Sequence, residues 1–213
     1  MATRKRKTKQ KPKAVIAVIG LKATGKDVFA EIAMAQGFKQ RRVSDAVRKA
    51  ALELEGLDKP PFEVLNRIGN AGRHDSGDMG YWVKKLYQMA RADGDRLVIV
   101  NGIRHPGEID ALAEVAKDDG AIFCAVGITA PTAKRALRLM KRARPGDPTT
   151  FETFLDLDDA DRGIGQPWDG QQVDAALAKV PWSNRYHNNS TLEDYQSWSA
   201  GFMTGFAASI PQD

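Results

Sequence analysis

Short, uninterrupted apolar runs alternate along the chain with longer stretches in which apolar residues return every three or four positions. "AVIAVIG" (14–20), "RLVIVNG" (96–102) and "AIFCAVGI" (121–128) are apolar almost throughout, as expected of parallel strands buried on both faces. A short second strand is expected to end near "RRVSD" (41–45), and a last one within "SNRYHNN" (183–189). Lys26 to Gln36 places Val28, Phe29, Ile32 and Ala33 on one helical face, with Gly37 as its stop. "SDAVRKAALELEG" (44–56) is helical, with Ser44 or Asp45 able to cap it, and residues 59–77 and 78–95 predict two more helices. Further helices are expected in 105–120, 130–144 and 171–180. The closing segment 191–210 spaces Leu192, Tyr195, Trp198, Phe202 and Phe206 three or four apart. Residues 145–170 are polar and broken by Gly and Pro. Strands alternating with helices predict an α/β three-layer sandwich, with a mostly parallel five-stranded sheet and helices on both faces. Trp82 and Tyr87 are expected to pack helix against sheet.

Charge refines this picture once it is divided along the chain. Residues 1–13 carry seven of the 32 Lys and Arg and no acid, which leaves the rest with 25 basic and 27 acidic residues. The basic stretch predicts a disordered, solvated tail over 1–13, and a body over 14–213 that is near neutral. Nucleic acid could be engaged only through that tail, which has no interleaved aromatics for base stacking. One cysteine, Cys124 within an apolar strand, and three scattered histidines exclude a disulfide framework and argue against a zinc site. No apolar run approaches the roughly 20 residues that span a bilayer, and no secretory signal is legible, so a cytoplasmic protein without a membrane partner is expected.

The candidate chemistry begins at "GLKATGKDV" (20–28), directly after the first apolar run. It fits G-x-x-x-x-G-K, in which glycines let backbone N–H groups curl round phosphates and a lysine reaches the β/γ oxygens. The helix that follows offers its positive end to the anion. Gly20, Ala23, Thr24, Gly25, Lys26, Asp27 and Val28 are therefore the expected ATP-binding residues. Asp27 stands where a hydroxyl residue normally holds magnesium, a task a carboxylate can also perform. The strand "LVIVNG" ends in the neutral Asn101, where an acid supporting the metal is usual. Arg135, Arg138 and Arg142 share one helical face that leads, with Arg144, into the Gly/Pro-rich segment. Mobile cations and a water-excluding lid are what phosphoryl transfer requires. A solvated basic face is the alternative. The acids Asp156, Asp158, Asp159 and Asp161 lack metal-site spacing and balance those arginines in this reading.

With the loop placed, "SDAVRKAALELEG", "LNRIGNAGRHDSGDMGYWVKKL", "VIVNGIRHPGEIDAL", "RLMKRARPGDPTTFETF", "GQQVDAAL" and "HNNSTLEDY" together resemble the P-loop nucleoside-monophosphate-kinase-like proteins. The likeness is greatest to the group related to dephospho-CoA kinase and phage deoxynucleoside monophosphate kinases, and it spans about residues 14–200. It implies a P-loop kinase domain with acceptor-binding helices over about 44–95 and a lid over about 142–170. By that resemblance Asp45 orients the acceptor or joins Asp27 at magnesium, while Arg48, Arg73 and Arg104 bind acceptor phosphate. Lys26, Asp45, Arg138, Arg142 and Arg144 form the catalytic set, and Asn188 and Asn189 contact the adenine. Each has a plainer reading from the residues alone: a helix cap for Asp45, an ion pair with Glu108 for Arg104, and a turn before a helix for the two asparagines. Trp168, within the expected lid, is the aromatic placed to stack on a ligand.

The resulting expectation is ATP- and Mg2+-dependent phosphoryl transfer to a nucleotide-like acceptor, foremost a (deoxy)nucleoside monophosphate. Dephospho-CoA is the second acceptor. A nucleotide-dependent NTPase or switch that binds nucleic acid through the basic tail is the rival from another class, motivated by Asn101 and residues 1–13.

Overall fold

The computed structural model describes residues 10–144 and 146–211. The chain runs β1 (Ala14–Ile19), α1 (Lys26–Ala35), β2 (Lys39–Arg42), α2 (Val43–Glu55), α3 (Phe62–Ser76), α4 (Tyr81–Asp93) and β3 (Leu97–Ile103). It continues through α5 (Pro106–Asp118), β4 (Ile122–Thr129), α6 (Thr132–Arg142), α7 (Phe151–Arg162), α8 (Val173–Ala178), β5 (Arg185–His187) and α9 (Leu192–Ala208). The five strands pair in the order β2-β3-β1-β4-β5, and every pairing is parallel.

β1 is central and wholly buried, which is why its sequence has no polar alternation. Its side chains divide between two cores. Val15, Ala17 and Ile19 face Val83, Leu86, Ile109 and Leu112 from α4 and α5. Ala14, Ile16 and Val18 face Phe29 and Ala33 of α1 and Tyr195 and Met203 of α9. Phe29 is fully buried against the rings of Trp198 and Phe202, at 6.0 and 5.8 Å between centroids. Truncating it to alanine is expected to cost about 3–5 kcal/mol. Trp82 and Tyr87 are buried as the pattern implies, and the Trp82 indole donates to the Gly69 carbonyl at 2.8 Å, locking α4 to α3.

The chain leaves β1 toward one face of the sheet, into α1, and neighbouring β3 toward the other, into α5. Such a divergence opens a crevice at the carboxyl ends of the strands. A bulge sharpens it: Val18 pairs with Asn101 but Ile19 pairs with Ile103, which leaves Gly102, at φ +93°, unpaired beside the crevice.

Three expectations change. Residues 145–170 contain a helix, α7, capped by the Thr150 hydroxyl, which accepts the Thr153 N–H at 3.2 Å; the acids between its apolar residues mask the periodicity. α2 starts at Val43, so neither Ser44 nor Asp45 is its N-cap. Of the expected basic tail, residues 1–9 lie outside the described residues. Lys11 pairs with Asp119 at 3.1 Å, and the Lys13 N–H donates to the Arg96 carbonyl at 2.7 Å, so the body begins slightly before residue 14. Among the described residues no helix is long and apolar enough to cross a membrane.

Candidate active site

The loop between β1 and α1 is shaped by what takes its carbonyl groups. Lys26 Nζ donates to the carbonyls of Gly20 and Leu21 at 2.7 and 2.6 Å, and the Thr24 hydroxyl to Leu21 at 3.1 Å. Arg138 takes the Ala23 carbonyl at 3.0 Å, Asn188 Nδ2 that of Thr24 at 2.8 Å, and the Tyr195 hydroxyl that of Gly25 at 2.9 Å. These bonds occupy the carbonyls of the loop and leave its N–H groups available. Among the described residues, none of the N–H groups of 22–26 has a protein acceptor. That is the arrangement of an anion nest at a helix N-terminus. The glycines are sterically fixed. A Cβ on Gly20 would lie 2.3 Å from the Ile128 carbonyl oxygen. One on Gly25, at φ +110°, would lie 2.6 Å from Asn188 Nδ2.

Two hollows open from this loop. One of about 460 Å³ is lined by Lys22, Gly25, Val28, Arg138, Arg142 and Tyr195, among others. Another of about 360 Å³ lies against α2 and α3, lined by Arg42, Arg48, Arg73 and Arg104 beside the apolar Val47 and Leu65. Lys26 and Asp27 line both. Burial, reinforced by nearby Arg104 and partly opposed by Asp27 and Asp161, lowers the Lys26 pKa to about 8.

The first hollow receives Ala23, Gly25, Lys26, Asp27 and Val28 from the expected nucleotide set, while Gly20 and the buried Thr24 shape the loop from behind. Of the lid arginines, Arg138 and Arg142 line it; Arg142 also pairs with Asp147, which holds that carboxyl below its ordinary range. Arg144 lines neither hollow, and its backbone N–H caps onto Asp147 at 3.0 Å. Arg135, on the same helical face in projection, is fully buried against Asp158, so this part of the face is a structural ion pair. Asn188 lines the hollow but directs its amide N–H to the Thr24 carbonyl, which makes it a brace for the loop. Asn189 is exposed and lines neither hollow; its carbonyl accepts Lys134 Nζ at 2.7 Å. Trp168 is exposed too, and only its carbonyl engages the site region, within 3.2 Å of His105 Nε2.

On the second hollow the expected residues converge, with one exception. Arg48, Arg73 and Arg104 all line it; Asp45 does not. The Asp45 carboxylate accepts the Arg42 N–H at 2.8 Å and lies 3.5 Å from Arg48 Nη1, so it closes the first turn of α2 and does not join Asp27. Arg104 is not paired with Glu108. Glu108 is buried and accepts the backbone N–H groups of Arg104 and His105, at 2.7 and 3.2 Å. Burial raises its pKa against those bonds. Arg42, at the carboxyl end of β2, escaped the sequence reading although strand ends are where ligands of such sheets bind. Lys22 and Gln171 were likewise unforeseen, and Asp161, expected to balance the lid arginines, pairs with Lys22 and Arg104, partners too distant in sequence for a local pattern to mark.

Asp27 has two neighbours. Asn101 Nδ2 donates to its Oδ1 at 3.1 Å, and Arg42 Nη2 lies 3.8 Å from the same oxygen. Among the described residues no cluster of three or more His, Cys, Asp or Glu has metal-binding geometry. An ion here would take Asp27 as its protein carboxylate and draw its other ligands from phosphate oxygens and water, a donor set that suits magnesium.

The family comparisons agree with this geometry. A family model described as "AAA domain" matches residues 15–160, from β1 through most of α7. A UPF0200 protein of Hyperthermus butylicus is 30% identical over 151 residues, 71% of this chain and 77% of that protein. The chain belongs to the AAA domain family and to the UPF0200 group. A second UPF0200 relative, from Aeropyrum pernix, is 31% identical over 156 residues, 71% of this chain and 78% of its own. Among solved structures, a candidate kinase from Chloroflexus aurantiacus superposes with a TM-score of 0.57 at 16% identity, covering 95% of this chain and 99% of that one. At that identity the likeness is one of fold, an α/β sandwich built on a five-stranded parallel sheet.

Proposed function

We propose that the chain transfers the γ-phosphoryl group of magnesium-bound ATP to an anionic, nucleotide-like acceptor, foremost a (deoxy)nucleoside monophosphate. The observation that carries this reading is that two hollows of ligand size meet at Lys26 and Asp27, one on the phosphate loop and one bearing four arginines. Phosphoryl transfer needs donor and acceptor brought together and charge neutralised, with little covalent chemistry from the protein. Lys26 and the loop amides hold the donor phosphates, Arg138 and Arg142 neutralise the transferring group, and Arg42, Arg48, Arg73 and Arg104 receive the acceptor's anion. Asp27 would hold magnesium, which would supply charge neutralisation for the phosphates.

The choice among acceptors follows from Asp45. A hydroxyl acceptor such as dephospho-CoA calls for a base, and the Asp45 carboxylate is engaged by the Arg42 N–H and Arg48. A phosphate acceptor is already a nucleophile at neutral pH and calls for none, which favours the monophosphate.

Incubating the protein with magnesium-ATP and a panel of ribo- and deoxynucleoside monophosphates and dephospho-CoA, while following ADP, tests this. Acceptor-dependent ADP from a monophosphate is the expected result. Turnover raised by DNA or RNA and by no small acceptor would replace the kinase reading with that of a nucleotide-dependent switch.

A further inference from the structure

We propose that Asp161, which reaches the site from the lid helix α7, is a positioning residue for the acceptor arginine Arg104; the role rests on the acceptor reading above. Asp161 is only 4% exposed, and a polar side chain so buried calls for hydrogen-bonding or charged partners. Its Oδ2 lies 3.1 Å from Lys22 Nζ of the phosphate loop, and its Oδ1 lies 3.2 Å from Arg104 Nη1. Gln171, from the segment that follows the lid, accepts the same Nη1 at 2.6 Å.

Arg104 is therefore gripped by one nitrogen. Its Nε and Nη2 have no protein acceptor among the described residues, and its side chain lines the acceptor hollow. Nε and Nη2 form the side-on edge with which a guanidinium takes two phosphate oxygens at once. Ordering a free arginine forfeits rotamer entropy, a cost that a buried carboxylate already holding Nη1 removes before the acceptor arrives. Because the same carboxylate also holds Lys22, one side chain of the lid sets a donor-side and an acceptor-side cation relative to each other.

A double-mutant cycle on the full chain decides this, with dTMP as the calorimetric probe. Asp161→Asn is expected to weaken dTMP binding about tenfold and Arg104→Ala to weaken it more, as loss of charge-assisted contacts does. In the Arg104→Ala background Asp161→Asn should have no further effect on dTMP. Additive losses, or a change below about twofold in Asp161→Asn, would overturn the role, since a merely structural residue couples to no single partner. Should Asp161→Asn fail to fold, side-chain 15N NMR of the ligand-free wild type serves instead. A resolved, slowly exchanging Nη1 signal for Arg104 is expected, and a fully averaged one overturns the proposal. Absence of dTMP binding to the wild type removes the acceptor hollow and this role with it. Coupled dTMP binding without ADP formation from ATP would remove the kinase reading and leave the role of Asp161 standing.

Discussion

The side-chain amide of Asn101 donates to the carboxylate of Asp27 at 3.1 Å, across the gap between the end of β3 and the first turn of α1. Two departures from the usual phosphate-loop pattern are thus one arrangement. A carboxylate at position 101 would face Asp27 directly and repel it unless a cation lay between them. Asn101→Asp is expected to lower the melting temperature at neutral pH in chelator and to recover it in magnesium, as read by calorimetry under both conditions. Asp27→Asn should weaken apparent magnesium affinity in turnover about tenfold and strengthen ADP binding in chelator, because it deletes a charge beside the phosphates.

Lys26 gives a pH signature. In the free protein its ammonium titrates near 8, depressed chiefly by burial, and a bound phosphate stabilises the charged form. Nucleotide binding above about pH 8 must therefore take up a proton, and affinity should fall as pH rises through that value. Calorimetric titration with ADP in buffers of differing ionisation enthalpy measures the uptake; a pH-independent affinity up to about pH 10 would contradict it. Lys26→Ala should abolish the rise in melting temperature that ADP produces.

Arg135 separates fold from chemistry. It is wholly buried, forks onto Asp158, and lies with its guanidinium 5.4 Å from the Phe154 ring centre. Arg135→Ala leaves that carboxylate with Arg162 as its remaining partner among the described residues, and a loss of about 3–5 kcal/mol in urea unfolding is expected. The paired replacement Arg135→Met with Asp158→Leu should recover most of it.

Arg42 and Arg73 test the acceptor side. Each lines the arginine-bearing hollow and not the one on the other side of Lys26. Alanine at either position should raise the KM for the acceptor about tenfold or more while the KM for ATP changes by less than about threefold. Equal changes in both constants would show that the two hollows are not separate subsites.

Much of this was legible in the chain because the relevant signals are local. β1 declares itself by six consecutive buried residues, and the phosphate loop by glycines whose Cβ positions are blocked. Arg48, Arg73 and Arg104, grouped in the sequence by the family resemblance, line one hollow in the structure. What failed depended on a single residue of register or on distant partners. α2 begins at Val43, which makes Arg42 the N-cap and leaves Asp45 as the third helical residue, its carboxylate accepting the Arg42 N–H. Asn188 bonds to Thr24, 164 positions earlier, and Arg104 to Asp161, 57 positions later. No periodicity encodes such pairs, and the acids of α7 hide its apolar face in an otherwise polar segment.

The hydroxyl of Tyr195 and the amide of Asn188 hold the loop at Gly25 and Thr24 from 170 and 164 residues away. The loop after β1 is therefore fastened in part by α9, which is translated long after it. Contacts of such sequence separation form slowly and late. A nascent chain lacking α9 would carry the whole G-x-x-x-x-G-K sequence without its Tyr195 brace, so full nucleotide capture would arise only after translation has delivered residue 195.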